Sequence, residues 1–428
     1  MLIHIVEAGE TVYGIAARYG VSPARLLSDN GLSASDSLAI GQALLILFPA
    51  ETYTVQSGDT LFSIAAATGT DVITLLQNNP YLADAAALRP GESLVIRYAE
   101  EKRRPVYITG YAYPFINPSI LYRALPYLSY LTVFGYGFTP EGELIGIDDA
   151  PLISAAYRFG AAPVMLLSSI TENGTFSSER ASLLFNDLAL QETVLDNILT
   201  VMREKGYVGL DIDFEYVNAE DREAFIAFVG NARRQLAPYG YFVNTDLAPK
   251  TSATQSGLLY EAHDYAALGA VSDTLFLMTY EWGYTYGPPL AVAPLDKVEQ
   301  VVAYAVTEID PAKLLLGIPN YGYDWTLPYE KGVTAARSLG NEEAVKLAAR
   351  YGAEIRFDSV AASPYFAYTD ESGAAHIVWF EDVRSILGKL NLMDEYGLRG
   401  AGYWNVMRPF AQNFALLGAL YDIEKPGV

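Results

Sequence analysis

Beyond residue 105 the chain alternates short apolar runs with stretches of helical periodicity. The runs fall at 106–113, 128–138, 164–169, 207–216, 241–247, 274–281, 314–320 and 400–406, and they are rich in the β-branched and aromatic residues that favour strands. Eight strands alternating with helices predict an α/β fold, a (β/α)8 or TIM barrel over residues 105–428. The length exceeds what a minimal barrel needs, and the excess lies between strands seven and eight. There, at about 321–385, a helix near 341–351 and short strands near 354–357, 365–369 and 375–380 predict a small α+β insertion.

The first hundred residues carry a different pattern, an internal repeat. Gly9-Glu10-Thr11-Val12 is echoed by Gly58-Asp59-Thr60-Leu61, Ile15-Ala16 by Ile64-Ala65, Leu26-Leu27 by Leu75-Leu76, and Asn30 by Asn79. Each copy predicts a βααβ unit, with modules at 1–48 and 52–98. A short strand (3–6; 53–55) leads to a helix capped by Thr11 or Thr60 and stopped at Gly20 or Gly69. A second helix starts at Ser22-Pro23 or Asp71, and a closing strand follows at 44–47 or 93–97. The charged, proline-ended stretch 99–105 separates this pair from the barrel.

Within strand four, Gly209-Leu210-Asp211-Ile212-Asp213-Phe214-Glu215-Tyr216 alternates large apolar residues with carboxylates at a period of two. Asp211, Asp213 and Glu215 therefore share one face, expected to point into the barrel, while Leu210, Ile212 and Phe214 pack under the helices. Same-face neighbours lie roughly 6.5–7 Å apart, so mutual repulsion should keep at least one proton on the row near neutral pH. A carboxyl that stays protonated is a general acid. Glu215 falls at the C-terminal end of its strand, where barrel enzymes place their chemistry. A solvated edge strand would mix in Lys, Thr or Ser, and this one does not. A divalent metal site is the other rival, but the histidines, His4, His263 and His376, form no ligand cluster.

Composition narrows the partner. The 28 Lys and Arg against 50 Asp and Glu give a net charge of −22, which argues against nucleic acid and anionic membranes. A neutral ligand fits better, and the 32 tyrosines suit a partner whose faces stack on flat rings. With no cysteine, disulfides and thiolate chemistry are excluded. The N-terminus reads as neither a secretory signal nor a membrane span. No metal or cofactor is expected, and the chain is expected to act as a monomer.

The repeat, Tyr-x-Val-x-x-Gly-Asp-Thr-Leu-x-x-Ile-Ala with a later Asn, resembles the LysM module, most closely in its second copy. That resemblance implies binding of N-acetylglucosamine chains of peptidoglycan or chitin beside the first helix, at Gly9, Glu10, Thr11 and Val12 and at Gly58, Asp59, Thr60 and Leu61. A turn-and-cap role accounts for the same residues equally well.

The remainder resembles glycoside hydrolase family 18. Residues 208–215 match its strand-four motif, Met278-Thr279-Tyr280-Glu281 its sixth strand, 316–322 its seventh, and Gly402-Tyr403-Trp404 its eighth. The resemblance implies a retaining hydrolysis in which the substrate's 2-acetamido group is the nucleophile. Glu215 would be the acid and then the base, Asp213 would hold the acetamido N–H with Asp211 in support, and Tyr280 would bind the acetamido oxygen. Trp404 would floor the site. Trp282, Trp325, Tyr323, Glu281 and Asn320 are candidate subsite residues, with ordinary packing an equal account of Trp282, Trp325 and Tyr323. Two departures stand out. Val208 replaces the motif's first acid, which predicts a carboxylate relay lacking its deepest member, and Glu281 replaces an Asp. Two LysM-like modules ahead of such a barrel resemble the spore cortex-lytic N-acetylglucosaminidases of endospore-forming bacteria. By that resemblance the enzyme would reach the endospore from the mother-cell cytoplasm without a signal peptide and cleave cortex peptidoglycan in germination. A chitinase, a general wall glucosaminidase and a non-catalytic glycan-binding coat protein are the alternatives.

Overall fold

The computed structural model describes residues 1–84 and 88–427. Residues 85–87 of the predicted second module and Val428 of the predicted barrel range lie outside the described residues.

Eight parallel strands close into a barrel: Arg104–Ala112, Tyr130–Phe138, Ala162–Ser168, Gly209–Asp213, Phe242–Leu247, Thr274–Leu277, Leu314–Pro319 and Gly400–Trp404, here barrel strands one to eight. Closure comes from strand one, which pairs with both strand two and strand eight. The alternation seen in the sequence has the expected cause. Leu210 and Ile212 are fully buried in the layer between strands and helices, and Phe214 packs against Phe185, Phe225 and Phe228 with ring centroids 5.1, 6.2 and 5.9 Å away.

The insertion between strands seven and eight is a five-stranded antiparallel sheet with one helix, Asn341–Tyr351, where the periodicity places it. Three of its strands, Arg356–Asp358, Ser363–Thr369 and Ala375–Trp379, lie near the expected ones. Gly322–Leu327 and Arg337–Leu339 were not anticipated. The first follows strand seven after only Asn320 and Tyr321, so the sequence reads as one continuous apolar run; the second is too short to show a period.

Each N-terminal module is the βααβ unit that its sequence predicts. Leu2–Ile5 pairs with Ala43–Ile46 around helices Val12–Tyr19 and Pro23–Asp29; Pro49–Thr54 pairs with Ser93–Tyr98 around Leu61–Thr68 and Val72–Asn78. Both first helices end on glycines in the left-handed region, Gly20 at φ 68° and Gly69 at φ 67°, where a Cβ would be strained. The repeated asparagine has a structural reason. The Asn79 amide donates to the Leu75 and Val95 carbonyls at 2.9 and 2.8 Å while its oxygen accepts from Val95 N–H at 2.9 Å, tying the second helix to the closing strand. Asn30 does the same with Leu26 and Leu45.

The modules dock on the barrel. Arg25 of the first pairs with buried Asp29 at 2.8 Å and reaches Asn79 and the Tyr98 hydroxyl of the second. Gln412, on the helix Ala411–Leu420 after strand eight, donates to Asn30 and to the Ala43 carbonyl at 2.8 and 2.7 Å. Gln77 donates to the Pro126 carbonyl at 2.8 Å, and Ile355 N–H of the insertion donates to the Ile40 carbonyl at 2.8 Å. The apolar residues Val55, Ile64, Leu75 and Leu94 belong to the same continuous core as Val106, Leu125 and Leu417 of the barrel.

Asn79→Ala leaves one backbone N–H and two carbonyls of this core unpaired, and each buried unpaired group costs about 1–3 kcal/mol. The expected result is a second module that opens at clearly lower urea concentration than in the wild type, read by hydrogen exchange at Val95.

Candidate active site

The ladder of barrel strand four ends at Asp213, so Asp211 and Asp213 lie on the strand while Glu215 stands in the loop beyond it. The period of two nevertheless persists, and Asp213 and Glu215 line one cleft of about 830 Å³ at the C-terminal mouth of the barrel. Asp246, Tyr280, Glu281, Trp282 and Trp404 line it too. Thus residues from the ends of strands four, five, six and eight converge, as the C-terminal face of a barrel allows.

Below the cleft the carboxyls are held by uncharged donors. Asn244, on strand five beside Asp211, uses both amide hydrogens, one to Asp211 at 2.7 Å and one to Asp246 at 3.0 Å. Its oxygen accepts from the Thr274 hydroxyl at 2.8 Å, which fixes the amide's orientation. The Tyr111 hydroxyl of strand one donates to the same Asp246 oxygen at 3.0 Å. Asp211, Asp213 and Asp246 are 1%, 5% and 3% exposed, and among the described residues no Lys, Arg or His forms an ion pair with any of them. Burial pushes all three upward from the ordinary carboxylate range; Asp213 is raised further by Glu215 and Asp211, Asp246 by Asp211 and Asp213. For Asp211 that rise is opposed by hydrogen bonding, first of all by the Asn244 amide. One oxygen of Asp213 is buried without a partner.

Glu215 is raised by burial and then by the negative charge of Glu281. Glu281 itself sits in the left-handed region at φ 70°, a sparsely populated conformation for a side chain-bearing residue. Its carboxylate accepts from the Tyr321 hydroxyl and from Tyr323 at 3.0 Å. Tyr280, two residues beyond the Met278 that follows strand six, is partly buried, and its hydroxyl is pushed up by burial and by Asp246 and Asp213. Trp404 closes strand eight amid Phe134, Tyr111 and Tyr113, whose ring centroids lie 5.3, 5.8 and 6.0 Å away.

Other sequence candidates are placed away from the cleft. Trp325 is fully buried with its indole N–H donating to the Gly287 carbonyl at 2.9 Å, and Asn320 is buried with its amide donating to the Asn405 and Arg408 carbonyls at 3.0 and 2.9 Å. Both find backbone partners in neighbouring loops and do not line the cleft. Tyr323 serves Glu281 rather than the open space. In the modules, Thr11 and Thr60 cap helices, Glu10 faces His4 and Arg18 at 2.7 and 2.8 Å, and Asp59 accepts from Tyr53 and the Gln56 N–H at 2.9 and 2.7 Å. Val12 is core, Leu61 is partly buried, and Gly9 and Gly58 make turns at φ 82° and 92°.

Val208 does not leave a gap in the row. It precedes strand four at the end far from the cleft, and its N–H donates to the Pro163 carbonyl. Its number is even, so it belongs to the alternation of Leu210 and Ile212, not to that of the acids. The carboxylate network instead spreads sideways onto strand five, through Asn244 and Asp246. Those two residues and Tyr111 were missed; the same period-two reading applied to Asn244 and Asp246 would have placed them on one face.

A closed eight-stranded parallel barrel with an acidic row opening into a mouth cleft defines a class of glycoside hydrolases, and the chain belongs to the glycosyl hydrolases family 18, which matches residues 165–408. LysM domains match at 4–46 and 53–97. Across almost its whole length the chain is similar to the cortical fragment-lytic enzyme of Bacillus cereus, with 39% identity over 429 residues and 99% of each chain covered. Its fold is similar to the crystal structure of the Bacillus cereus spore cortex-lytic enzyme SleL, with a TM-score of 0.84, 36% identity, and 99% of this chain and 98% of that one covered. The crystal structure of a chitinase from Chromobacterium violaceum is more distantly similar, at 28% identity and a TM-score of 0.68, over 73% of this chain and 98% of that one.

The upward shift at Asp213 has a stability consequence. A carboxyl raised in the folded state contributes stability below its unfolded pKa of ~4, and that contribution is lost as pH rises through the folded value. Asp213→Asn removes the burden of charging this group. Its thermal midpoint should exceed that of the wild type by a margin that grows from pH 5 to pH 9; a margin that shrinks with pH would contradict the assignment.

Proposed function

We propose that this chain is a peptidoglycan hydrolase of the spore cortex, an N-acetylglucosaminidase that cleaves after N-acetylglucosamine with retention, through the substrate's own acetamido group. The observation that carries the proposal is the convergence of Asp213, Glu215 and Tyr280 on one mouth cleft in a family 18 chain. The substrate assignment is supported by full-length likeness to the cortical fragment-lytic enzyme, LysM modules included.

In this reading Glu215 protonates the glycosidic oxygen. Burial and the charge of Glu281 raise its pKa, which favours the protonated form that a general acid needs. The acetamido carbonyl oxygen attacks the anomeric carbon as the leaving group departs, giving an oxazolinium ion. Asp213, whose free oxygen has no protein partner, accepts the acetamido N–H and offsets the positive charge. The Tyr280 hydroxyl bonds the acetamido oxygen, and Trp404 supports the sugar face. Water then attacks the anomeric carbon, gives its proton to Glu215, and the ring reopens. Glucans without an acetamido group have no nucleophile and are not substrates. A chitinase is the second reading, favoured by the likeness of the barrel to a chitinase.

Glu215→Gln should lower kcat by roughly 10³-fold, within the range for a lost general acid, while the protein still binds glycan. Mass spectrometry of digests of spore cortex peptidoglycan and of chitin oligomers decides the substrate. New reducing-end N-acetylglucosamine from cortex, absent with the variant, is the expected result; products from chitin alone move the assignment to chitinase, and products from neither overturn it. Glu281→Gln removes the charge that helps hold the proton on Glu215. The alkaline limb of its kcat profile should therefore move to lower pH, and an unmoved limb would rule out the electrostatic link.

A further inference from the structure

The proposed chemistry leaves one charge in the cleft unused. The carboxyls of Asp213, Glu215, Asp246 and Glu281 line the cleft, and among the described residues a single cation does, Lys297. It is the one group there that attracts an anion.

Its helix holds it at the mouth. Leu295–Glu308 follows strand six and buries Val298, Val301, Val302 and Ala305 against the barrel. Its start is fixed by the Leu295 N–H, which donates to the Ala361 carbonyl of the insertion at 2.8 Å. Lys297 and Gln300, three residues apart and therefore neighbours on the helix surface, both line the cleft. The Lys297 side chain is 46% exposed and pairs at 3.3 Å with its own neighbour Asp296, which is 34% exposed. Adjacent residues of a helix do not face each other, and an ammonium has three hydrogens to give. Asp296 therefore leaves donors free for a ligand.

The two candidate substrates differ in what they offer such a group. Chitin is uncharged along its length. A peptidoglycan strand alternates N-acetylglucosamine with muramic residues, so both neighbours of a reacting N-acetylglucosamine are muramic whichever way the strand lies. Each carries a carboxylate, on its lactyl group or at the end of the peptide joined to it, unless the lactyl group has closed into a lactam. Such a carboxylate is repelled by the acids of the cleft and gains from a compensating charge beside the reacting sugar. A chitin oligomer gains nothing from it.

Resting on the proposed function, we infer that Lys297 is a specificity-determining residue that binds the carboxylate of the muramic residue next to the reacting N-acetylglucosamine. It takes no part in bond breaking. It favours carboxylate-bearing strands over chitin and over strands whose neighbouring muramic residue is a lactam.

The test is a binding comparison. Fluorescence reads the cleft and not the modules, because all four tryptophans lie at or beyond residue 282 and two of them, Trp282 and Trp404, line the cleft. The ligands are three soluble tetrasaccharides of alternating N-acetylglucosamine and muramic acid: one with free lactyl carboxylates, one with those groups converted to methylamides, and one with single alanine stems. Each is titrated into the Glu215→Gln protein and into the same protein carrying Lys297→Gln or Lys297→Arg. Expected with Lys297→Gln is an about two- to fivefold weaker Kd for a carboxylate-bearing ligand, the range of a half-exposed ion pair. The methylamide should bind unchanged, and Lys297→Arg should restore the loss. A loss with the free lactyl ligand assigns the lactyl carboxylate, and a loss confined to the alanine-bearing ligand assigns the stem. Equal losses with charged and neutral ligands, no loss with any, or no binding in the cleft overturns the inference. The titration needs no turnover: failure to release N-acetylglucosamine from cortex refutes the proposed function alone, and cortex hydrolysis beside an indifferent Lys297 refutes the inference alone.

Discussion

The arrangement at the mouth depends on one constraint: several carboxyls are buried together, and among the described residues no Lys, Arg or His pairs with Asp211, Asp213 or Asp246. In a protein of net charge −22 there is little positive charge to spare, and the Lys and Arg that do pair are placed elsewhere, such as Lys389 with Glu381 and Lys205 with Asp149. Neutral donors do the work instead, one amide shared between two acids and one phenol beneath them. Such a site is held by protons and hydrogen bonds rather than by ion pairs, so its charge state is free to respond when a ligand enters. A lysine in the row would lock Glu215 and Asp213 as carboxylates and remove the acid.

Much of this was legible in the chain because it was local. Period two on strand four puts Asp211, Asp213 and Glu215 on one side whatever surrounds them, and the helix at Asn341–Tyr351 declares itself through its own spacing. The modules were readable for the same reason, since Thr11 and Thr60 and Gly20 and Gly69 act within one repeat, and Asn30 and Asn79 each tie a helix to the closing strand of their own repeat. What the sequence hid was lateral. Asp246 and Asn244 become partners of Asp211 only when strands four and five pair, and Tyr111 joins them only when the sheet closes from the far end of the chain. Aromatic residues misled in the other direction. Trp325 looks like a sugar platform from its neighbours in sequence, yet the insertion folds its indole against a backbone carbonyl, and only Trp282 and Trp404 of the proposed tryptophans reach the cleft.

The modules and the barrel also differ in how their side chains are used. In the modules the repeated polar residues complete turns and caps, so any glycan contact there must draw heavily on backbone and on whatever surface the turns leave open. In the barrel mouth some polar residues are held by partners, Glu281 by Tyr321 and Tyr323 and Asp246 by Asn244 and Tyr111, and others are left open. The unpartnered oxygen of Asp213 is the clearest case: fold stability gains nothing from it, and a ligand does.

The docking of the modules has a consequence for how a polymer is handled. Residues 99–103 are all that separate the last module strand from the first barrel strand, and Arg103 N–H is already bonded to the Leu420 carbonyl. There is no leash. A binding module on a flexible tether raises local substrate concentration over a sphere of possible positions, whereas a glycan held by these modules would be presented to the mouth from one direction and at one offset. The molecule would then sample a strand as a caliper does, at a spacing set by its own dimensions rather than by diffusion of a linker.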